Sequence, residues 1–187
     1  MSPGQTVPTH RLKVVTLCTG NVARSVMLGY MLARLAEVNG YDWQIRTAGT
    51  HVIEGSAMSS RTRDALLSLD DLGTHQYNSH RSHQLSGDDV MWADVILTSE
   101  ANHVNFVRTH FPDGCPKTVS LRQFLRGAPL DEPFGEQLKL VAARRPLEIF
   151  DVNDPAGGDQ AVYDACAVQL WEMAQVFTTI VGDDPLD

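Results

Sequence analysis

Between residues 18 and 25 the chain reads Cys-Thr-Gly-Asn-Val-Ala-Arg-Ser, which brings a thiol, a guanidinium, a carboxamide and two hydroxyls into one short loop. These groups suit the capture of a tetrahedral dianion, with phosphate the natural guest. If the loop leads into a helix at Arg24, its backbone N–H groups can turn inward and share one spot with the positive helix end. Thr19, Gly20, Asn21, Val22, Ala23 and Ser25 are therefore the expected phosphate-binding positions. Gly20 is expected to allow positive φ and close backbone approach, and Asn21 tolerates the left-handed conformation. Arg24, five residues beyond the cysteine plus one, presents a planar fork to two phosphate oxygens. The same field favours the thiolate, the nucleophilic form of cysteine, at Cys18. A plainer reading makes Cys18 a small hydrophobe at a strand end, and Cys-x5-Arg alone does not exclude it. The preceding apolar run, the Gly-Asn pair, the serine and the helix start favour the nucleophile. The loop lacks the Gly-Lys-Ser/Thr ending of a nucleotide phosphate loop.

The elements that must hold this loop follow from patterning. "LKVVTL" is a continuous apolar, β-branched run, as for a strand covered on both faces. "ARSVMLGYMLARLAEV" carries a helical stripe through Val26, Leu28, Met31, Leu32, Leu35 and Val38, stopped by Asn39-Gly40. Further along, "WQIRTAG" predicts a second strand, "SSRTRDALLSL" a serine-capped helix, and "SGDDVMWADVILTS" a short helix running into a third strand. "EANHVNFVRTHF" predicts a helix ended by Pro112-Asp113-Gly114, "KTVSL" a fourth strand, "EPFGEQLKLVAARR" a helix, and residues 157–181 a long final helix. This alternation predicts an α/β fold: a single domain with a four-stranded parallel sheet and helices on both faces. Ligands of such sheets bind beyond the carboxyl ends of the strands, where Cys18 falls.

At 187 residues and 43% hydrophobic content the chain suits one domain with a sizeable core. The domain is expected over residues 11–182, with a flexible tail at 1–10 and an acidic tail at 183–187. A formal charge of -8 opposes general affinity for nucleic acid or an anionic membrane, so any anion must be met by a local positive field. "MSPGQTVPTH" has neither a cationic nor an apolar leader region, and no segment approaches a membrane span. A cytoplasmic location is expected. Cys18, Cys115 and Cys166 are widely spaced and odd in number, which fits neither a disulfide framework nor a zinc ribbon. His75, His80 and His83 are too loosely spaced, without carboxylate or cysteine partners, to predict a metal site. No metal and no cofactor is expected.

"CTGNVARS" resembles the phosphate loop of the low-molecular-weight protein tyrosine phosphatases, whose pattern is Cys-x-Gly-Asn-x-Cys-Arg-Ser with a distant Asp-Pro. "RTAGTH" is similar to the segment after that family's second strand, and "NSHRSHQL" followed by "ADVILTSE" resembles its His-x-Ser/Ala-Arg and third-strand region. The likeness spans about residues 11 to 180. It implies a phosphotyrosine phosphatase I-like fold and phosphomonoester hydrolysis, most of all of protein phosphotyrosine, through a phosphocysteine on Cys18. It further implies Arg24 as the oxyanion clamp and Asp154, in "DVNDPAGG", as general acid, with Ser25 bonding the thiolate. His80 matches the histidine that steadies the loop through Ser and Asn side chains, with Asn21, Ser25 and Thr47 as neighbours. The rival pairs Asp184-Pro185, in the tail, and Glu132-Pro133 fit the acid's place less well. The expected partners are a phosphotyrosine protein or a small phosphomonoester, with no nucleic acid and no membrane; nothing in the sequence sets an oligomeric state.

Three positions depart from the family pattern. Ala23 replaces a second loop cysteine, so an oxidised Cys18 has no thiol beside it on the loop. Val26 stands where proline often follows Arg-Ser, removing some preset φ from the first helical turn. Ala156-Gly157-Gly158 replaces aromatic residues that wall the phenyl ring, which leaves that task to His51, Ile53 or a repositioned Tyr163, or else points to a substrate that is not a tyrosine ester. The alternatives are a thiol-dependent arsenate reductase, for which Cys115 and Cys166 match no relay, and a non-enzymatic phosphate-binding module, for which Cys18, Arg24 and Asp154 need not all be present.

Overall fold

A computed structural model of the chain describes residues 11–73 and 77–182. The expected tails, His75 and Asp184-Pro185 lie outside the described residues. Four parallel strands, β1 (Arg11–Cys18), β2 (Asp42–Gly49), β3 (Val95–Thr98) and β4 (Thr118–Ser120), form one sheet in the order β2-β1-β3-β4. The α/β architecture read from the alternation is the one observed. The topology reverses at β1, whose two neighbours are β2 and β3, and Cys18 is its last residue. A strand order that reverses there opens a crevice at the carboxyl end of the sheet.

Alternation along β1 divides the core in two. Leu12 and Val14 join Val95 and Leu97 beneath α1 (Arg24–Asn39) and α7 (Gln160–Gly182). Val15, Leu17 and Ile96 face the other way, against Val90 of α3 (Gly87–Trp92) and Val107 of α4 (Ala101–His110). Burying both faces is what a continuous β-branched run requires, and each fully buried Val or Leu side chain contributes about 1.5–3 kcal/mol. Among the described residues no helix is long and apolar enough to cross a membrane.

Local signals set most boundaries. Gly40 ends α1 in the left-handed conformation, φ 72°, with its N–H returning to the last helical turn. Ser59 caps α2 (Ser60–Leu67) by accepting from Thr62 N, a contact worth about 1 kcal/mol. The fourth strand is shorter than expected, because Leu121 already opens α5 (Leu121–Gly127), a helix the sequence reading lacks. Its apolar residues Leu121 and Phe124 are too few to show a period, and they turn inward only because α7 and α6 (Phe134–Ala142) cover them. The helix expected over 132–145 is this α6, started by Pro133 as its N-cap.

Candidate active site

The loop from Thr19 to Ala23 joins β1 to α1, and its shape comes from one left-handed residue. Asn21 has φ 53° and is the positive-φ non-glycine among the described residues. Gly20 lies outside that region, so of the two positions expected to tolerate it Asn21 is the one that adopts it. Asn21 bears the cost because its side chain is locked: Nδ2 donates to Ser25 Oγ and Thr47 Oγ1, both at 2.9 Å, and Oδ1 accepts from His83 N at 2.9 Å. Among the described residues none of the backbone N–H groups of Thr19 to Ala23 donates a hydrogen bond. Ala23, the N-cap of α1, gives that helix no side-chain cap. Uncommitted amides beside a helix N-terminus make a receptor for an anion.

Cys18 Sγ lies 2.9 Å from Ser25 Oγ, and both residues are buried. A hydroxyl held there donates to the sulfur when it is charged, and Ser25 is itself oriented by Asn21. Gly49, at the end of β2, allows this closeness: a Cβ there would meet Thr19 O at 2.5 Å and Asn21 N at 3.0 Å. The sequence reading did not single out Gly49, although the "RTAGTH" segment contained the signal.

Arg24 is almost fully buried, at 1% relative exposure, which demands charged or polar partners. Its Nη1 donates to Glu100 Oε1 and, at 2.9 Å, to Val152 O, while Nη2 donates to Asp154 Oδ2 at 2.7 Å. Burial alone lowers an arginine's pKa, but Glu100 and Asp154 outweigh it and hold the guanidinium charged. The tertiary fold thus brings the Asp154 loop onto the fork: Val152 N donates to Ser99 O, just past β3. Glu100 is the partner that sequence reasoning missed, since a lone glutamate before a helix reads as an N-terminal charge.

His103 was missed for the same reason. It is buried on α4, with Nε2 2.9 Å from Thr19 Oγ1 and no partner for Nδ1 among the described residues. Burial, aided by the nearby Arg24 charge, pushes its pKa down to about 4 against the pull of Glu100. His80 reaches the loop, though not as expected: its Nε2 donates to the main-chain carbonyl of Asn21 at 2.8 Å, and the Ser and Asn side chains are not its partners. Burial lowers its pKa despite that bond. Of the candidate aryl walls, Tyr163 is buried in the core and unavailable. His51 hangs beside the loop, its N–H bound to Thr19 O, and Ile53 is 83% exposed two residues on. No group of three or more His, Cys, Asp or Glu side chains among the described residues is arranged to hold a metal ion.

All three cysteines are unpaired. Cys115 precedes β4 and therefore lies towards the amino end of the sheet, away from Cys18, so the two make no relay. Cys166, on α7, is buried, and burial pushes its pKa up to about 11.

The description "Low molecular weight phosphotyrosine protein phosphatase" belongs to a family model that matches residues 13–142. The protein-arginine-phosphatase of Geobacillus stearothermophilus is 31% identical over 139 residues, covering 73% of this chain and 88% of the relative. A solved arginine phosphatase, a cysteine-to-serine mutant with a phosphorylated active-site serine, superposes with a TM-score of 0.76 at 21% identity, covering 92% of this chain and 97% of the other. The low molecular weight protein tyrosine phosphatase of T. tengcongensis superposes with a TM-score of 0.72 at 23% identity, covering 90% and 98%. Matched over these lengths, the chain belongs to the low molecular weight phosphotyrosine protein phosphatase family and is a phosphatase that works through a cysteine.

Proposed function

We propose that this phosphatase cleaves phosphate from protein side chains, phosphotyrosine first among them, with Cys18 as nucleophile, Arg24 as clamp and Asp154 as proton donor. The observation that carries the reading is the Cys18 Sγ–Ser25 Oγ contact of 2.9 Å, beneath a loop whose amides are uncommitted. The sulfur attacks phosphorus in line and the ester P–O bond breaks, while Arg24 and the loop amides hold the equatorial oxygens. Asp154 protonates the leaving oxygen, which otherwise departs as a costly oxyanion. Its carboxylate then takes a proton from water, water attacks phosphorus, and the P–S bond breaks. Ser25 bonds the departing sulfur.

Asp154 Oδ2 occupies Arg24 Nη2 here. An incoming phosphate takes that position on the fork, which frees the partly exposed carboxylate to reach the leaving group. Cys18 is buried, at 3% relative exposure, which favours phosphate carried on a long side chain. Three unpaired cysteines fit the reducing cytoplasm.

Phosphoarginine is the second reading, favoured by a specific observation. Ala156-Gly157-Gly158 offers no aromatic wall beside Asp154, whereas Glu100 and Asp154 bring two carboxylates to the Arg24 fork, a charge that suits a guanidinium leaving group. The curated relative named a protein-arginine-phosphatase points the same way. Phosphate release from peptides carrying phosphotyrosine, phosphoarginine or phosphoserine, measured with EDTA present, separates the readings. Hydrolysis of the tyrosine peptide, abolished in Cys18→Ser, is expected. Turnover confined to phosphoarginine selects the second reading, and equal turnover of phosphoserine defeats both.

A further inference from the structure

His83 has no place in the chemistry above, yet its geometry is unusual for a half-exposed histidine. The ring lies between two carboxylates, with Nε2 2.8 Å from Asp89 Oδ2 and Nδ1 3.2 Å from Glu54 Oε1. An ionised carboxylate only accepts, so both ring nitrogens must donate, and only the imidazolium can do so. Asp89 is buried and well fixed: Ser86 donates to it from N and Oγ, and Arg46 Nη1 reaches its other oxygen at 3.2 Å. Arg46 is braced in turn over the Trp92 ring, 4.0 Å from its centroid. Glu54 is exposed and also accepts from Gln84 N. Among the described residues these are the charged groups facing His83: Arg46 from β2, Glu54 from the segment after it, and Asp89 from α3. Arg81 turns away to the carbonyls of Asn78 and His80.

The main chain of the same residue supports the catalytic loop. His83 N donates to Asn21 Oδ1, Asn21 Nδ2 donates to Ser25 Oγ, and Ser25 Oγ meets Cys18 Sγ, each at 2.9 Å. His83 O accepts from Gly49 N, which ties the segment to the sheet edge.

We infer that His83 is a positioning residue for the phosphate loop, holding Asn21, and through it Ser25 and Cys18, in place while both its ring nitrogens are protonated. The inference rests on the proposed role of Cys18. Burial pulls the ring's pKa down, but hydrogen bonds to Asp89 and Glu54 outweigh it and hold the pKa above the ordinary value. When the proton leaves, the remaining N–H stays on Asp89, because abandoning a buried carboxylate costs more than abandoning an exposed one. The Glu54 clamp opens, and the segment that orients Asn21 keeps its Asp89 bond and its main-chain bonds to Gly49 but loses one side-chain anchor. Activity then depends on a proton outside the catalytic groups.

The test compares kcat for p-nitrophenyl phosphate from pH 5 to 9 in the wild type, His83→Arg and His83→Gln. Dividing one profile by another cancels whatever pH dependence the three proteins share. Arginine donates to both carboxylates at every pH, so the ratio of His83→Arg to wild type is expected near one at pH 5 and to rise roughly tenfold by pH 9. The ratio of wild type to His83→Gln is expected to fall over the same range. Flat ratios mean a merely structural histidine and overturn the inference. A second measurement needs no activity: NMR of the wild type is expected to show the Asn21 side-chain amide shifting with the His83 ring, at a lower pH in Glu54→Gln. An Asn21 amide indifferent to that titration overturns the inference. Loss of all turnover on every phosphate in the wild type sinks the phosphatase role of this chain's Cys18 and leaves the NMR result to decide His83.

Discussion

Two histidines flank one loop and titrate in opposite directions. On the Arg24 flank, His103 is buried against a hydroxyl with a guanidinium close by, and its pKa falls to about 4. On the Asn21 flank, His83 is half exposed between two carboxylates, and its pKa rises. The side chain is the same; desolvation wins at His103, where Glu100 stands 3.8 Å away without a hydrogen bond, and hydrogen-bonded carboxylates win at His83. The flanks divide the work accordingly. The Arg24 flank carries permanent charge, its guanidinium held by Glu100 and Asp154, and the Asn21 flank supplies hydrogen-bonded shape.

The Arg24 flank is broken most severely by Arg24→Lys, which keeps the charge and loses the fork. A loss in kcat/KM of roughly 10³-fold is expected, and a loss below tenfold shows that the planar fork does not hold the transition state. Asp154→Asn follows, with kcat for a phosphotyrosine peptide down by about 10²-fold. The loss shrinks for p-nitrophenyl phosphate, whose leaving group needs less help from an acid. An equal loss on both substrates removes Asp154 as donor.

On the other flank, Asn21→Ala removes the bonds to Ser25, Thr47 and His83 and places alanine at a left-handed position. Destabilisation of about 2–3 kcal/mol by urea unfolding is expected, with kcat down roughly tenfold. A fully active, fully stable variant contradicts the shape role.

The smallest effects read the histidines directly. His103 keeps a folded pKa below its unfolded value, so between pH 6.5 and about 4 the unfolded chain binds a proton that the folded one refuses. Stability falls with pH across that window, by on the order of 3 kcal/mol, and His103→Gln is expected to flatten the decline. His83 has the opposite sign: its contribution is full below about pH 6.5 and is lost as pH rises through the higher folded value. Because the ring is half exposed, screening keeps that loss under about 1 kcal/mol. Parallel acid declines in wild type and His103→Gln would erase the contrast between the flanks.

Much of this protein is legible along the chain. The apolar run into Cys18, the loop composition, the helical stripe after Arg24 and the Gly40 stop are local patterns, with a period or a required φ that one segment carries alone. They were enough for the parallel α/β fold and the loop itself. α5 escaped because seven residues show too little period. Which of Gly20 and Asn21 takes the left-handed φ was not legible, because the side-chain lock on Asn21 comes from His83 and Thr47, far along the chain.

What the tertiary structure alone decided is which distant groups meet the loop. Glu100 and Asp154 reach Arg24 across 76 and 130 residues, and His83 reaches Asn21 across 62. No periodicity encodes such pairings, because they follow from the strand order that puts β2 and β3 on either side of β1. The same packing buried Tyr163 and left His51 and Ile53 at the mouth. Sequence spacing sets Cys18 and its loop within one turn of chain, whereas Asp154, Glu100 and His83 become neighbours of that loop only once the sheet has closed around them.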